Sequence, residues 1–149
     1  MGFSSIQLAG RRADALAAFL ADCQAWAPQL QALSWASEDG SLADALTQAD
    51  LVVNTTPVGM ASASNPAAAE ACPLNDGELS ALQSGASVYD IIYTPRPTQL
   101  LQRATSRGCR SFDGLEMLVE QGAAALRLWS GLPEVPVEVM RQALLEHLP

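Results

Sequence analysis

The sequence predicts an α/β protein built on a doubly wound, mostly parallel sheet flanked by helices. Three observations carry this. Five short apolar segments alternate with helical patterns along 149 residues. Two of them, ending near Asn54 and Ile92, break at once into Pro, Gly and hydroxyl residues. In an open parallel sheet such breaks lie at the carboxyl ends of strands, where ligands bind. No internal repeat or composition shift divides the chain, so residues 1–149 read as one domain.

The elements follow in order. Ser5 to Ala9 is a short strand, and Asp14 to Cys23 a helix with Leu16, Phe19, Leu20 and Cys23 at three- and four-residue spacing. Pro28 closes that region, and Ala32 to Ala36 reads as the second strand. Ser41-Leu42-Ala43-Asp44 resembles a capping box with Asp for Glu, opening a helix to about Gln48. Asp50 to Asn54 is a strand. Ala61 to Asn75 is an Ala/Ser/Pro stretch without apolar period, expected to be a mobile surface loop. Glu78 to Gln83 is a brief helix, and Ser87 to Ile92 a β-branched strand. Thr98 N-caps a helix that Gly108 stops; Cys109 to Phe112 is the last strand. Two terminal helices follow, 115–131, stopped by Gly131 and Pro133, and 136–147, with Pro136 in its tolerated first turn.

Composition narrows the chemistry. The net charge of −8 argues against a nucleic-acid surface. Every cation is Arg, so a Lys base, a Schiff-base Lys and a phosphate-loop Lys are excluded within this sequence. Cys23, Cys72 and Cys109 are far apart, with no CxxC or Cys/His cluster, so neither a metal site nor a disulfide framework is supported, and a reducing cytoplasm fits best. No apolar run approaches the roughly 20 residues of a membrane helix, and Met1 to Ser5 lacks the features of a secretory signal.

Gly10-Arg11-Arg12 follows a strand directly, with no carboxylate before Asp14. In a dinucleotide fold an acidic residue at the second strand's end selects NAD, whereas Arg suits the 2′-phosphate of NADP. Guanidinium forks match phosphate oxygens bidentately. The same two Arg also read as solvated charges before a helix. Asn54-Thr55-Thr56-Pro57 turns out of a buried strand and offers hydroxyls to a ribose or nicotinamide, or is an ordinary strand exit. Tyr93 at a strand end can hydrogen-bond a polar substrate or pack half-buried. Asp90 reads as a buried polar anchor for neighbouring backbone. Gly114 leaves room for a flat ring at a helix start that favours acceptors. Met117 reads mainly as core, and Gln121 as a polar residue that reaches substrate or water. His147, the only His, is expected to be exposed and idle.

These residues resemble the C-terminal, NADP-binding half of shikimate dehydrogenase, from about Phe3 to Leu148. The family pattern N-[AT]-[TS]-P-x-G-[ML] matches Asn54 to Met60. The pattern Y-D-x-x-Y-x-P-x-x-T-x-L-L matches Tyr89, Asp90, Tyr93, Pro95, Thr98, Leu100 and Leu101. The pattern G-x-x-M-L-x-x-Q-[GA] matches Gly114, Met117, Leu118, Gln121 and Gly122. The resemblance implies a partial Rossmann-like NADP-binding domain. Gly10, Arg11 and Arg12 stand at the family's N-R-T adenosine-phosphate motif, where only Arg11 matches. Asn54, Thr55, Thr56, Pro57, Ile91, Gly114 and Met117 would line the cofactor, and Tyr93 and Gln121 would contact shikimate. The implied reaction is reversible hydride transfer between NADPH and 3-dehydroshikimate, a step toward chorismate and the aromatic amino acids. The implied partner is that small molecule, with no nucleic acid, no membrane and no metal, and a homodimer is expected of the full-length protein.

By the same resemblance, no catalytic residue is expected here, because the family's catalytic Lys and Asp belong to an N-terminal substrate domain. The first strand and its glycine-rich turn are also unmatched, so the sheet is expected to be incomplete at its N-terminal side. In the order 3-2-1-4-5-6 that omission bares two inner strand edges. The sequence therefore reads as a fragment or a late-placed start. Quinate/shikimate dehydrogenase relatives, and a non-catalytic nucleotide module working with a partner chain, are the alternatives. The isolated chain is expected to aggregate or to bind NADPH weakly, and to show no shikimate-dependent NADP reduction; a spectrophotometric assay of the purified chain checks this.

Overall fold

The computed structural model describes residues 3–35 and 40–148. The chain falls into two compact units, the first ending at Ala49 and the second beginning at Asp50. In the first, β1 (Ile6–Gly10), α1 (Ala13–Cys23), β2 (Leu30–Ser34) and α2 (Ser41–Leu46) form a βαβα run. β1 and β2 are parallel, with Ile6 opposite Leu30 and Gly10 opposite Ser34. The Trp35 amide extends the ladder by donating to the Gly10 carbonyl at 3.2 Å.

Helix α1 buries Leu16 and Cys23 but leaves Phe19 48% exposed. The apolar stripe is wider than this unit's two strands can cover. Helix α2 starts on Gly40 in a left-handed conformation (φ +80°), with no side-chain cap. The capping box expected at Ser41–Asp44 is therefore not the starting device: a glycine turn sets the entry angle instead. β2 lies two residues earlier than expected, and Ala36, the end of the expected strand, is outside the described residues.

The second unit holds β3 (Leu51–Asn54), a 3₁₀ turn (Pro66–Glu70), α3 (Asp76–Ala81), β4 (Ser87–Asp90), α4 (Gln99–Ser106), β5 (Arg110–Phe112), α5 (Leu115–Ser130) and α6 (Val137–His147). Its strands are parallel in the order β3-β4-β5. Val88, fully buried, is flanked by Val52 and Ser111. Leu100, Leu101 and Ala104 of α4 are buried and the helix packs on β4 and β5. Successive strand residues point to opposite faces. The other face carries Val53, Tyr89 and Phe112, of which Val53 and Phe112 stay about half exposed.

One expectation changes here. The 61–75 stretch contains secondary structure: an isolated bridge pairs Ser62 with Asn65, and the 3₁₀ turn follows. At its end Asn75 and Glu78 form a reciprocal capping box, with Asn75 Oδ1 accepting from the Glu78 amide at 2.9 Å and Glu78 Oε2 from the Asn75 amide at 2.8 Å. Asn–x–x–Glu is the signal that composition alone masked. The strands also form two sheets. Among the described residues β1 pairs only with β2, and β3 only with β4, so each keeps one edge without a strand partner. Those are the edges the sequence leads one to expect bare.

Gly131 (φ +70°) ends α5. Arg141 of α6 then grips Glu116 of α5, Nε to Oε1 at 2.8 Å and a terminal guanidinium nitrogen to Oε2 at 2.9 Å, and also pairs with Glu138. These hydrogen bonds hold the Glu116 carboxyl below its ordinary value of 4.5. A depressed folded-state value stabilises the helix pair above the unfolded value and is lost as pH falls through the folded one. The Glu116 carboxylate is 60% exposed, so the effect is small. Arg141→Gln should lower the melting temperature slightly at pH 7. The gap from the unsubstituted chain should close as pH drops below about 4 in a thermal melt series.

Candidate functional site

The second unit's candidate site grows from one buried carboxylate. Asp90 ends β4 with no exposed surface. Its Oδ1 accepts from Asn54 Nδ2 at 3.0 Å and from the Ile92 amide at 3.2 Å; its Oδ2 accepts from Thr98 Oγ1 at 2.7 Å. Asn54 ends β3 and Thr98 N-caps α4, its Oγ1 accepting from the Leu101 amide at 3.4 Å. A buried charge is tolerated only when its oxygens are hydrogen-bonded, and here both are. The anchoring role read for Asp90 and the cap read for Thr98 are both present.

The turn after β3 is shaped from within. Asn54 Oδ1 accepts from the Thr56 amide at 3.0 Å and from Thr56 Oγ1 at 2.8 Å, while Thr56 Oγ1 accepts from the Val58 amide at 3.3 Å. The Thr56 hydroxyl thus donates once and accepts once within the loop. Thr55 and Pro57 are exposed. Gly59 (φ +98°) is buried, and a Cβ there would sit 3.1 Å from the Ala71 carbonyl oxygen.

Gly114 shows a different reason for glycine from the one its sequence context gives. A Cβ there would lie 1.9 Å from the Ile91 carbonyl oxygen. The space is filled by the chain's own backbone rather than left for a ring. The Gly114 amide donates to the Ile92 carbonyl at 3.1 Å, and the Leu115 amide to Asp113 Oδ1 at 3.0 Å. The Gly114 and Leu115 amides are thus used within the chain, beside the Asp113 carboxylate. Asp113 Oδ2 also accepts from Arg96 Nε at 2.6 Å. Burial first, then the Asp113 charge, push the Tyr89 phenol above its usual value.

Ile91 and Gly114 are therefore in contact, as a shared site requires. Tyr93, 37% exposed, follows on the same loop. Met117, half-buried, and Gln121, exposed, lie three and seven residues beyond Gly114, on one face of α5. Arg96 and Asp113 are the site residues that sequence reasoning missed: their 17-residue separation shows no periodicity that would pair them.

In the first unit, Gly10, Arg11 and Arg12 line a surface cleft of about 560 Å³ with Leu8, Ala15 and Phe19. Both guanidinium-bearing residues are exposed, and Arg12 is the α1 N-cap without a side-chain cap bond. A Cβ on Gly10 would meet only Leu16 side-chain atoms at 3.6 Å, so packing alone does not demand glycine there. Arg beside the opening amides of a helix is a donor set suited to a phosphate. Among the described residues no group of acidic, Cys or His side chains could hold a metal, and no helix is long and apolar enough to cross a membrane.

Residues 114–145 match the family model described as the shikimate 5′-dehydrogenase C-terminal domain. The shikimate dehydrogenase (NADP(+)) of Trichormus variabilis is 46% identical over 150 residues, covering 99% of this chain and 49% of that protein. A Synechococcus shikimate dehydrogenase (NADP(+)) is 47% identical over 148 residues, with the same two coverages. Among solved structures, quinate dehydrogenase from Corynebacterium glutamicum in complex with NAD aligns with TM-score 0.78 and 28% identity, covering 97% of this chain and 47% of that one. Shikimate 5-dehydrogenase from Listeria monocytogenes, in complex with shikimate and NAD, aligns with TM-score 0.78 and 26% identity, over 96% and 48%. The chain spans about half the length of the curated relatives it matches. Along nearly all of its length the chain is similar to part of these shikimate dehydrogenases, and its α/β fold with parallel strands matches the solved quinate and shikimate dehydrogenases.

Two substitutions probe the junction. Gly114→Ala should destabilise the chain by about 3 kcal/mol in urea unfolding, since backbone must move to admit one methyl. Asp90→Ala should cost a similar amount, about 3 kcal/mol, because the Asn54 amide and the Thr98 hydroxyl lose their acceptor.

Proposed function

We propose that the chain is the cofactor-binding portion of an NADP-dependent shikimate dehydrogenase, which reversibly reduces 3-dehydroshikimate to shikimate. The observation that carries the reading is the Ile91–Gly114 junction. It locks the β4 loop onto the start of α5, and the family-model match begins at Gly114 itself. The NADP(+) named for the relatives in Trichormus and Synechococcus agrees with paired Arg at the end of β1.

Arg11 and Arg12 hold the 2′-phosphate by charge-assisted hydrogen bonds from the first unit. In the second unit the Asn54–Pro57 turn faces ribose or nicotinamide, with Thr55 the residue whose hydroxyl remains on the surface. Ile91, Gly114 and Met117 support the nicotinamide end, Gly114 by letting backbone pack closely rather than by direct stacking. Tyr93 and Gln121 bind substrate hydroxyls. When bound, NADPH supplies the hydride, and these residues orient it. The sequence contains no Lys, and the proton-transferring groups that the resemblance implies are assigned to a substrate domain outside it. The partner is a small polyol acid, and the setting is cytoplasmic.

A second reading is a quinate-type relative that binds NAD, the cofactor in complex with the Corynebacterium quinate dehydrogenase. The two Arg at the end of β1 favour NADP. Titration calorimetry separates the readings. NADPH should bind the chain more tightly than NADH. Arg11→Ala and Arg12→Ala should each weaken NADPH by about tenfold, the worth of a charged hydrogen bond, and leave NADH unchanged. Unaltered NADPH affinity in both variants would remove the phosphate assignment.

A further inference from the structure

We infer that Arg96 and Asp113 form a positioning pair that holds the substrate- and nicotinamide-facing residues in register, a role in recognition beyond their ion pair. The inference rests on the second unit's reading as the nicotinamide end. Four observations converge on it. Arg96 lies in the loop that carries Ile91 and Tyr93, and Asp113 immediately precedes the helix that carries Met117 and Gln121. One carboxylate does two jobs: Oδ2 takes Arg96 Nε at 2.6 Å while Oδ1 takes the Leu115 amide at 3.0 Å. The two guanidinium groups are similarly covered, Arg96 at 29% and Arg141 at 25% exposed, but the Asp113 carboxylate is 21% exposed where Glu116 is 60% exposed. The pair also sits beside two backbone ties between the same segments, the Gly114–Ile92 hydrogen bond and the Gly114–Ile91 close approach.

The physical consequence is specific. Backbone ties fix Ile91 and Ile92 against α5 but act before Tyr93. Only beyond Tyr93 does Arg96 pin the loop again, so Tyr93 is held from both sides. Without the guanidinium the segment between Ile92 and Thr98 loses its tie to the start of α5, and Tyr93 is held less firmly relative to the α5 face bearing Gln121. Neither residue needs to touch a ligand for this, and loss of the pair should leave the Arg11–Arg12 cleft unaltered.

Arg96→Gln and Asp113→Asn test this in the 149-residue chain. Asn keeps an oxygen to cap Leu115 but removes the charge that Arg96 grips, which separates pairing from capping. Amide hydrogen exchange at Gly114 and Leu115 should quicken about fivefold in both variants, with Val88 in the sheet centre unchanged. NADPH affinity should fall about fivefold while adenosine 2′,5′-bisphosphate, which lacks the nicotinamide, binds as before. The double variant should be no worse than either single one, since each already breaks the same contact. Arg96→Lys should recover part of the loss. Unchanged exchange, equal weakening of both ligands, or simple addition in the double variant would overturn the inference. If the unsubstituted chain bound neither ligand, the functional reading would fail, and the exchange and double-variant results would still decide the pair.

Discussion

The Asp90 carboxylate is taken out of water at the end of β4 and survives there because three donors reach it, from Asn54, Ile92 and Thr98. Each donor belongs to a segment whose direction matters. Asn54 is where β3 turns into the Thr55–Met60 loop, Ile92 is where β4 becomes loop, and Thr98 is where α4 begins. An unpaired buried carboxylate would cost several kcal/mol, roughly the whole margin of a small domain. The network is therefore satisfied together or not at all, and it sets the exit of two adjacent loops at once. Asn54 also turns its oxygen toward Thr56, so the same side chain that anchors Asp90 shapes the first of those loops.

A second constraint is built on that frame. With the β4 exit fixed, the Ile91 carbonyl runs so close to the start of α5 that no side chain fits at residue 114. The glycine serves internal packing. It allows the loop that bears Tyr93 and the helix that bears Gln121 to share one junction. The charges at that junction follow the same economy. Asp113 accepts from the Leu115 amide, receives Arg96 and adds to the effect of burial in raising the Tyr89 phenol's affinity for its proton, so one carboxylate acts on three neighbours.

Surface charge is distributed differently in the first unit. Arg11 and Arg12 stand in the open beside a cleft, and no described carboxylate is paired with either. In the second unit Arg96, Arg103 and Arg141 are engaged by carboxylates, whereas Arg107, Arg110 and Arg127 have no carboxylate in the ion pairs of the described residues. Paired guanidinium groups hold structure; open ones at a helix start are placed to meet an anion. What sets Arg11 and Arg12 apart is their place beside a cleft at the start of α1.

The alternation of short strands and helices, the parallel pairing class, the cap at Thr98 and the stops at Gly108 and Gly131 were legible in the sequence, because each follows from local periodicity or from a residue's own backbone preference. Asp90 was also legible as an anchor, since a charge inside an apolar strand demands partners. The α2 start, the ordered 61–75 segment, the occupied space at Gly114 and the Arg96–Asp113 contact were not. Local signals misread the first two: Ser41 imitates a cap, and small polar residues conceal a capping box at Asn75. The last two depend on where distant backbone passes. Which donors reach a carboxylate, and whether a glycine faces a ligand or a carbonyl, is fixed only when strands pair and the loops they carry are brought against α5, because hydrogen bonds and steric exclusion act over a few ångströms of space and not along the chain.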